Sequence, residues 1–267
     1  MGSIIYNSLE VRSPPGGGGI KVKWVIRVKY RNTLPFNEKG HKPQFLIPFL
    51  LLLLPSPLFI YFAVMKKIKA IIFDLGNVLI DWNPDYVFDK LFEDKEQKKH
   101  FLQNICTMEW NEQQDSGRSL KEATETLVAK YPEWKEYIEA YYGRWKDMLG
   151  GPIHDTVEIF RQLKQSGRYK LYALTNWSAE LFPIALELYE FLHWFDGRVV
   201  SGEEKLRKPS SEFYHVLLDR YNLQPQETLF IDDNLRNVKA AEALGMTSIH
   251  FQSPEQLKRE LEQLQIL

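Results

Sequence analysis

Beyond Met65 the chain alternates short apolar runs with amphipathic stretches. Residues 68–73 are mostly apolar and rich in β-branched and aromatic side chains, which predicts a strand buried on both faces. Similar runs at 170–174, 198–200, 228–231 and 247–251 predict four more strands. Helical spacing fills most of the gaps. Ile153, Val157, Phe160 and Leu163 share one face, as do Phe213, Val216, Leu217 and Tyr221. Val238, Ala241 and Leu244 form a third face, and Gly245 is the expected stop. Ser253-Pro254 with Gln256 caps a last helix carrying Leu257, Leu261 and Leu264. Strands alternating with helices predict an α/β fold built on a doubly wound parallel sheet.

Residues 84–150 interrupt this rhythm, because no strand pattern occurs there. Asn83-Pro84 can start a helix bearing Val87, Leu91 and Phe92, and Ser119 with Glu122 makes a capping box for another. Trp134, Tyr137, Tyr141 and Trp145 recur at helical spacing and are expected to pack within this insertion. The organisation expected is therefore a core of 65–83 and 151–267 with a small helical cap, 84–150, inserted after the first strand. Open parallel sheets bind ligands beyond the carboxyl ends of their strands. Asp74, Thr175 and Asp232-Asp233 all fall at such ends, and the cap would lie above them as a lid.

Residues 1–64 read differently. Pro14-Pro15 and Gly16 to Gly19 form a flexible stretch, and the alternation of Val22, Trp24, Ile26 and Val28 could make a strand with no evident partner. Residues 45–65 carry no charge and are long enough to span a bilayer, although Pro48, Pro55 and Pro57 weaken a helix there. Both flanks are basic, so no orientation follows. Met65-Lys66-Lys67-Ile68 leads into the first strand as a natural start would. The segment therefore reads as translation from an upstream start, with a membrane anchor or another targeting role as alternatives.

The full chain has 267 residues, is 44% hydrophobic and carries a formal net charge of -1. That suffices for one sizeable core. The first 64 residues hold eight basic and two acidic side chains, leaving 26 basic and 33 acidic ones beyond. An acidic body offers no broad footprint for nucleic acid. The single cysteine, Cys106, excludes an internal disulfide and a cysteine-based zinc site. A reducing, cytoplasmic setting is expected, or a membrane-anchored one if 45–65 spans.

The chemistry is carried by carboxylates at strand ends. Asp74 closes one apolar run and meets a glycine turn at Gly76; Asp232-Asp233-Asn234 closes another. If those strands are neighbours, three carboxylates crowd one place, which is costly without a cation among them. Four motifs stand in order: Asp74-Leu75-Gly76-Asn77-Val78, Leu174-Thr175-Asn176, Lys208 in Arg207-Lys208-Pro209, and Asp232-Asp233-Asn234 extended by Asn237. In these motifs, and in the helical insertion between the first two, the chain resembles the haloacid dehalogenase-like hydrolase superfamily in its helical-cap branch. The Asp-Leu-Gly-Asn and Asp-Asp-Asn patterns are also similar to bacterial α-glucose-1-phosphate phosphatases.

The resemblance implies a small phosphate ester as substrate and Mg2+ as cofactor. It implies Asp74 as nucleophile, forming an aspartyl-phosphate, with no activating base because an ordinary aspartate is ionised at neutral pH. The metal would be held by Asp74, the Gly76 carbonyl and Asp233, with Asp232 as a ligand or just behind one. Thr175 and the Asn176 N–H would hold phosphoryl oxygens, and Lys208 would pair with phosphate and with Asp74. Asn176-Trp177-Ser178 also fits a glycosylation acceptor, a coincidence with the second motif.

One departure matters. Phosphatases resembling this chain carry a second aspartate two positions after the nucleophile, as general acid; here Gly76 stands there. The loss argues against phosphomutase activity and for substrates with good leaving groups, such as anomeric sugar or aryl phosphates. Asp81 and His154 lie near motifs in sequence, and Trp110, Asn111, Gln113 and Arg118 are cap residues that could face the site. Two other readings stay open: a 2-haloacid dehalogenase, which needs neither the second aspartate nor a metal, and a binding protein on a hydrolase fold.

Overall fold

The computed structural model describes residues 68–267. The expectations for 1–64 and for the apolar segment 45–65 lie outside the described residues. Among the described residues no helix is long and apolar enough to cross a membrane.

The chain opens with β1 (Ala70–Phe73) and β2 (Ile80–Trp82), then runs through α1 (Asp85–Leu91), α2 (Lys95–Asn104), α3 (Met108–Asp115), α4 (Leu120–Lys130) and α5 (Lys135–Gly143). It continues as β3 (Leu149–Pro152), α6 (His154–Ser166), β4 (Lys170–Thr175), α7 (Phe182–Leu188), β5 (Gly197–Val200) and α8 (Ser201–Glu204). The last elements are α9 (Ser211–Arg220), β6 (Thr228–Asp232), α10 (Leu235–Ala243), β7 (Thr247–His250) and α11 (Pro254–Gln263).

Five strands form one parallel sheet in the order β5-β4-β1-β6-β7. The pleat sorts their side chains into two cores. Ile71, Phe73, Leu171, Ala173, Leu229 and Ile231 meet Phe160 and Leu163 of α6 and Leu257 and Leu261 of α11. Ala70, Ile72, Tyr172, Leu174 and Phe230 meet Phe213, Tyr214 and Leu217 of α9 and Ala241 of α10. Helices thus cover both faces, and each large side chain fully buried there contributes roughly 1.5–3 kcal/mol. Local signals agree with this layering. Gly167 (φ 60°) and Gly245 (φ 90°) end α6 and α10 in the left-handed region that glycine adopts without penalty. Ser253 Oγ accepts from Gln256 N at 3.2 Å at the start of α11, and Ser119 Oγ accepts from Glu122 N at 3.2 Å at the start of α4.

The helices α1 to α5 lie between β2 and β3 and form the cap. Its interior is aromatic: Phe92 stacks on Tyr137 at 4.1 Å between centroids, Phe88 meets Phe101 at 5.0 Å, and Trp134 stacks on Phe101 at 5.8 Å. Trp145 does not join them. Its ring meets Trp177 of the core at 5.7 Å, so one residue of the expected cap stripe packs against the core instead. The sequence pattern also misses β2 and β3, which pair antiparallel at the base of the cap with Asp81 opposite Gly151. Three- and four-residue strands, the second carrying Gly150, Gly151 and Pro152, are too short to show alternation.

One close approach fixes the loop after β4. Gly202 N donates to Trp177 O at 3.1 Å, and a Cβ on Gly202 would collide with the Ala179 nitrogen and lie 2.8 Å from Trp177 O. Backbone cannot yield as a side chain can. Gly202→Ala should therefore cost about 1–3 kcal/mol in denaturant unfolding. Gly143→Ala, where nothing lies within 4 Å of the new methyl, should be neutral or stabilising by up to about 1 kcal/mol. Equal unfolding midpoints for the two variants would refute the close-approach argument.

Candidate active site

The sheet order places the site. From β1 the chain winds outward one way through β4 to β5, then returns to build β6 and β7 on the other side. The crevice between β1 and β6 is the switch point where such sheets bind ligands. Asp74 follows β1 directly, its N–H donating to Ile231 O of β6 at 2.8 Å, and Asp232 is the last residue of β6. Segments far apart in sequence are thereby adjacent. Asp74, Asp232 and Asp233 each offer a carboxylate oxygen, and these atoms lie within 4.8 Å of one another.

Lys208 lies among them with a fully buried side chain. Its Nζ donates to Asp74 Oδ2 at 2.9 Å and to Asp232 Oδ2 at 2.7 Å. Asn176, one residue beyond β4, holds the lysine's backbone from both sides. Asn176 Oδ1 accepts from Lys208 N at 2.9 Å, and Asn176 Nδ2 donates to Lys208 O at 3.1 Å. The amide that would carry a glycan is therefore spent on positioning the lysine. Asn237 of α10 donates from Nδ2 to both oxygens of Asp232, at 3.0 and 3.1 Å, and Asn234 N donates to Asp232 Oδ1 at 2.8 Å. Asp232 is thus almost fully engaged within the protein, which leaves Asp74 and Asp233 the freer pair. Thr175, the last residue of β4, is buried with its Oγ1 unpartnered. A buried hydroxyl in that state is unsatisfied until something enters the site.

Burial pushes the Asp74 carboxyl up to about 8; Lys208 works against the rise, and Asp232 and Asp233 add to it. A further cation in the site would oppose that rise and favour the ionised carboxylate. Burial also raises Asp233, with Asp232 adding and Lys208 opposing. Burial disfavours the Lys208 charge, but Asp232 and Asp74 outweigh it and hold the ammonium above its ordinary range. One lysine against three carboxylates leaves the site short of positive charge.

Gly76 sits in the turn after Asp74, and a Cβ there would meet nothing within 4 Å. The left-handed residue of the turn is Asn77, at φ 55°, whose Oδ1 accepts from Trp82 N at 3.2 Å. The two near-motif residues are occupied elsewhere or exposed: Asp81 accepts from Tyr86 Oη at 2.5 Å, and His154 begins α6 on the surface.

Of the cap residues singled out, Trp110 turns inward, its ring 5.2 Å from those of Tyr141 and Tyr142. Asn111 bonds to Tyr142 and Asp115, while Gln113 accepts from Arg118. Another cap residue that reaches the core was not among them. Glu112 pairs with Arg207, beside Lys208, at 3.0 Å and with Arg236, in the first turn of α10, at 3.2 Å. Asp115, at the end of α3, accepts from the Ser178 N–H just past the second motif. Burial, with Glu112 nearby, pushes the Asp115 carboxyl up to about 7, against the pull of Arg207 and that N–H. Glu112 and Asp115 stand three apart on one helical face, a spacing that could have been read as a contact face.

Known proteins resemble this chain in sequence and fold. A sesquiterpene phosphatase of Aspergillus oryzae, astK, is 32% identical over 197 residues, covering 73% of this chain and 96% of its own. The pyrophosphatase PpaX of Bacillus velezensis is 26% identical over 184 residues, covering 67% of this chain and 81% of its own. Among solved structures, a HAD family enzyme of Bacteroides thetaiotaomicron in complex with magnesium and inorganic phosphate superposes with a TM-score of 0.54 at 24% identity, over 70% of this chain and 96% of that one. The family model for haloacid dehalogenase-like hydrolases matches residues 68–245, and this chain belongs to that family of hydrolases.

Proposed function

We propose that this chain is a magnesium-dependent phosphatase that acts on a small phosphate ester through an aspartyl-phosphate on Asp74. The observation that carries the reading is the pocket at the β1–β6 crevice: three carboxylates within 4.8 Å, one buried lysine joining two of them, and an unpartnered Thr175 hydroxyl. The donor set suits magnesium, which takes oxygen ligands and keeps several waters. Asp74, Asp233 and the Gly76 carbonyl would hold it, with Asp232 fixed behind them by Asn237. When bound, the ion supplies charge that keeps Asp74 ionised and screens it from an anionic substrate.

The residues then divide the work. An Asp74 oxygen attacks phosphorus while the ester P–O bond breaks. Thr175, the Asn176 N–H and Lys208 bind the phosphoryl oxygens as charge redistributes. With glycine at position 76, the departing oxygen takes its proton from water. Water then attacks the phosphorus of the aspartyl-phosphate, which releases phosphate and restores the carboxylate. A site lacking a proton donor favours alcohols that leave readily, and an anomeric sugar phosphate meets that condition. A second reading, the phosphate of an apolar alcohol, is supported by the name of the astK relative. Halide displacement has no use for the crowded carboxylates, so the phosphatase reading fits the pocket better.

Asp74→Asn should reduce turnover of para-nitrophenyl phosphate by at least about 10⁴-fold, and EDTA should abolish it reversibly. Chloride release from chloroacetate in EDTA would instead support a dehalogenase.

Rates over a series of aryl and alkyl phosphates should fall steeply as the leaving-group pKa rises. A Cβ at Gly76 would meet nothing within 4 Å. Gly76→Asp should speed alkyl phosphates by about 10²-fold or more and leave the best aryl esters nearly unchanged. A flat series in the parent chain would reject the missing-acid argument.

The raised Asp74 also sets a pH dependence. Its folded value of about 8 lies above the unfolded value of about 3.9, so the metal-free folded state binds the extra proton between the two. Metal-free stability should therefore fall as pH rises through that interval. Mg2+ must displace the proton, so its stabilising shift in Tm should grow from about pH 6 to about pH 8 and then level. Thermal melts with and without Mg2+ test this; a shift independent of pH would contradict the protonated Asp74.

A further inference from the structure

The contact between cap and core has a chemistry of its own. Glu112 presents one oxygen to each of two core guanidiniums, Oε2 to Arg207 Nη2 at 3.0 Å and Oε1 to Arg236 Nη2 at 3.2 Å. Arg207 adjoins Lys208, and Arg236 lies three residues past Asp233, so both arginines rise from the carboxyl-end rim that surrounds the pocket. Two guanidiniums converging on one carboxylate also form a binding site for any anion of similar size. Glu112 fills that site from α3, and Asp115, one turn further along, places a second carboxyl near Arg207.

On the phosphatase reading, an ester with its phosphate on Lys208 lies beside Arg207, the neighbouring residue, and so close to the Glu112 contact of α3. If its alcohol portion carried another anionic group, the group would have to take the arginines from Glu112. Success would separate cap from core. Failure would leave an unpaired anion facing Glu112 and Asp115, and like charges brought together repel. An uncharged alcohol meets neither obstacle. Resting on the phosphatase reading above, we infer that Glu112 is a specificity-determining residue, and that it restricts the enzyme to phosphate esters whose alcohol portion bears no second negative charge.

The test compares para-nitrophenyl phosphate with the same ring carrying a carboxylate meta to the ester, in saturating Mg2+. The full chain should prefer the neutral ester by at least about tenfold in kcat/KM. Glu112→Gln frees both arginines and should bring the two esters to within about threefold of each other, chiefly by lowering KM for the carboxylated one. Glu112→Asp keeps the charge and should keep most of the preference. A merely structural role for Glu112 would lower both activities together and leave their ratio alone, and that result overturns the inference. So does a parent chain that takes both esters equally, which settles the matter even if Glu112→Gln does not fold. Turnover of neither ester by the parent chain would overturn the phosphatase reading, and this inference with it.

Discussion

The site is organised around one buried ammonium. Lys208 has a fully buried side chain and reaches Asp74 and Asp232 at 2.9 and 2.7 Å. A buried ion pair gains stability only when its geometry is good and its remaining groups are satisfied, and breaking one by removing a partner costs about 3–5 kcal/mol. Here satisfaction comes from all sides. Asn176 holds the lysine's backbone, Asn237 and Asn234 hold Asp232, and Tyr214 of α9 donates to Asn237 O at 2.8 Å. The ends of β1, β4 and β6 are therefore tied through a single charge. The arrangement also explains the shortage beside it. Asp232 takes much of the lysine's charge, Asp74 must share the rest, and burial lifts Asp74 out of its ordinary range. A protein that wanted only a stable core would pair one carboxylate with one lysine and stop. Extra carboxylates in the same pocket make sense as places for an ion to bind.

Much of this was legible in the chain. The apolar runs at 68–73, 170–174, 198–200, 228–231 and 247–251 lie where the strands are, because buried parallel strands leave a continuous apolar signal. The motif residues Asp74, Thr175, Asn176, Asp232 and Asp233 close or directly follow β1, β4 and β6, and Lys208 reaches Asp74 and Asp232 from the loop before α9. Other features had no local signature. The pairing of β2 with β3 depends on where the cap begins and ends, which three residues of strand cannot announce. Helices α2 and α3 are short and polar, with little apolar periodicity to read. The rise of the Asp74 carboxyl depends on burial and on neighbours supplied by distant segments, so no single motif encodes it. Glu112 was missed for a related reason: its partners, Arg207 and Arg236, are known only once the cap has folded over the core.

The cap and the core answer different chemical questions. On the proposed phosphatase reading, the core site would handle a phosphoryl group, whose shape and charge are the same in every ester. Nothing in the Lys208 network distinguishes one alcohol from another. Discrimination must come from what lies on the far side of the cleft, and there α3 offers carboxylates to basic residues of the rim. Charge therefore does two jobs at a short distance: a deficit of positive charge at Asp74 invites a cation, and neutralised arginines at the rim leave no welcome for a second anion.

The glycine at position 76 fits this division of labour, and the backbone shows that it is not there to make the turn. The strained conformation falls on Asn77, at φ 55°, a region asparagine tolerates, whereas Gly76 lies outside the left-handed region and faces open space. A Cβ there would meet nothing within 4 Å. When a position that sterics leave free lacks the proton donor its chemistry would use, the cost of protonating the departing oxygen passes to the substrate and to water. On the proposed reading, selection among alcohols by leaving ability would belong to the core and selection by charge to the cap.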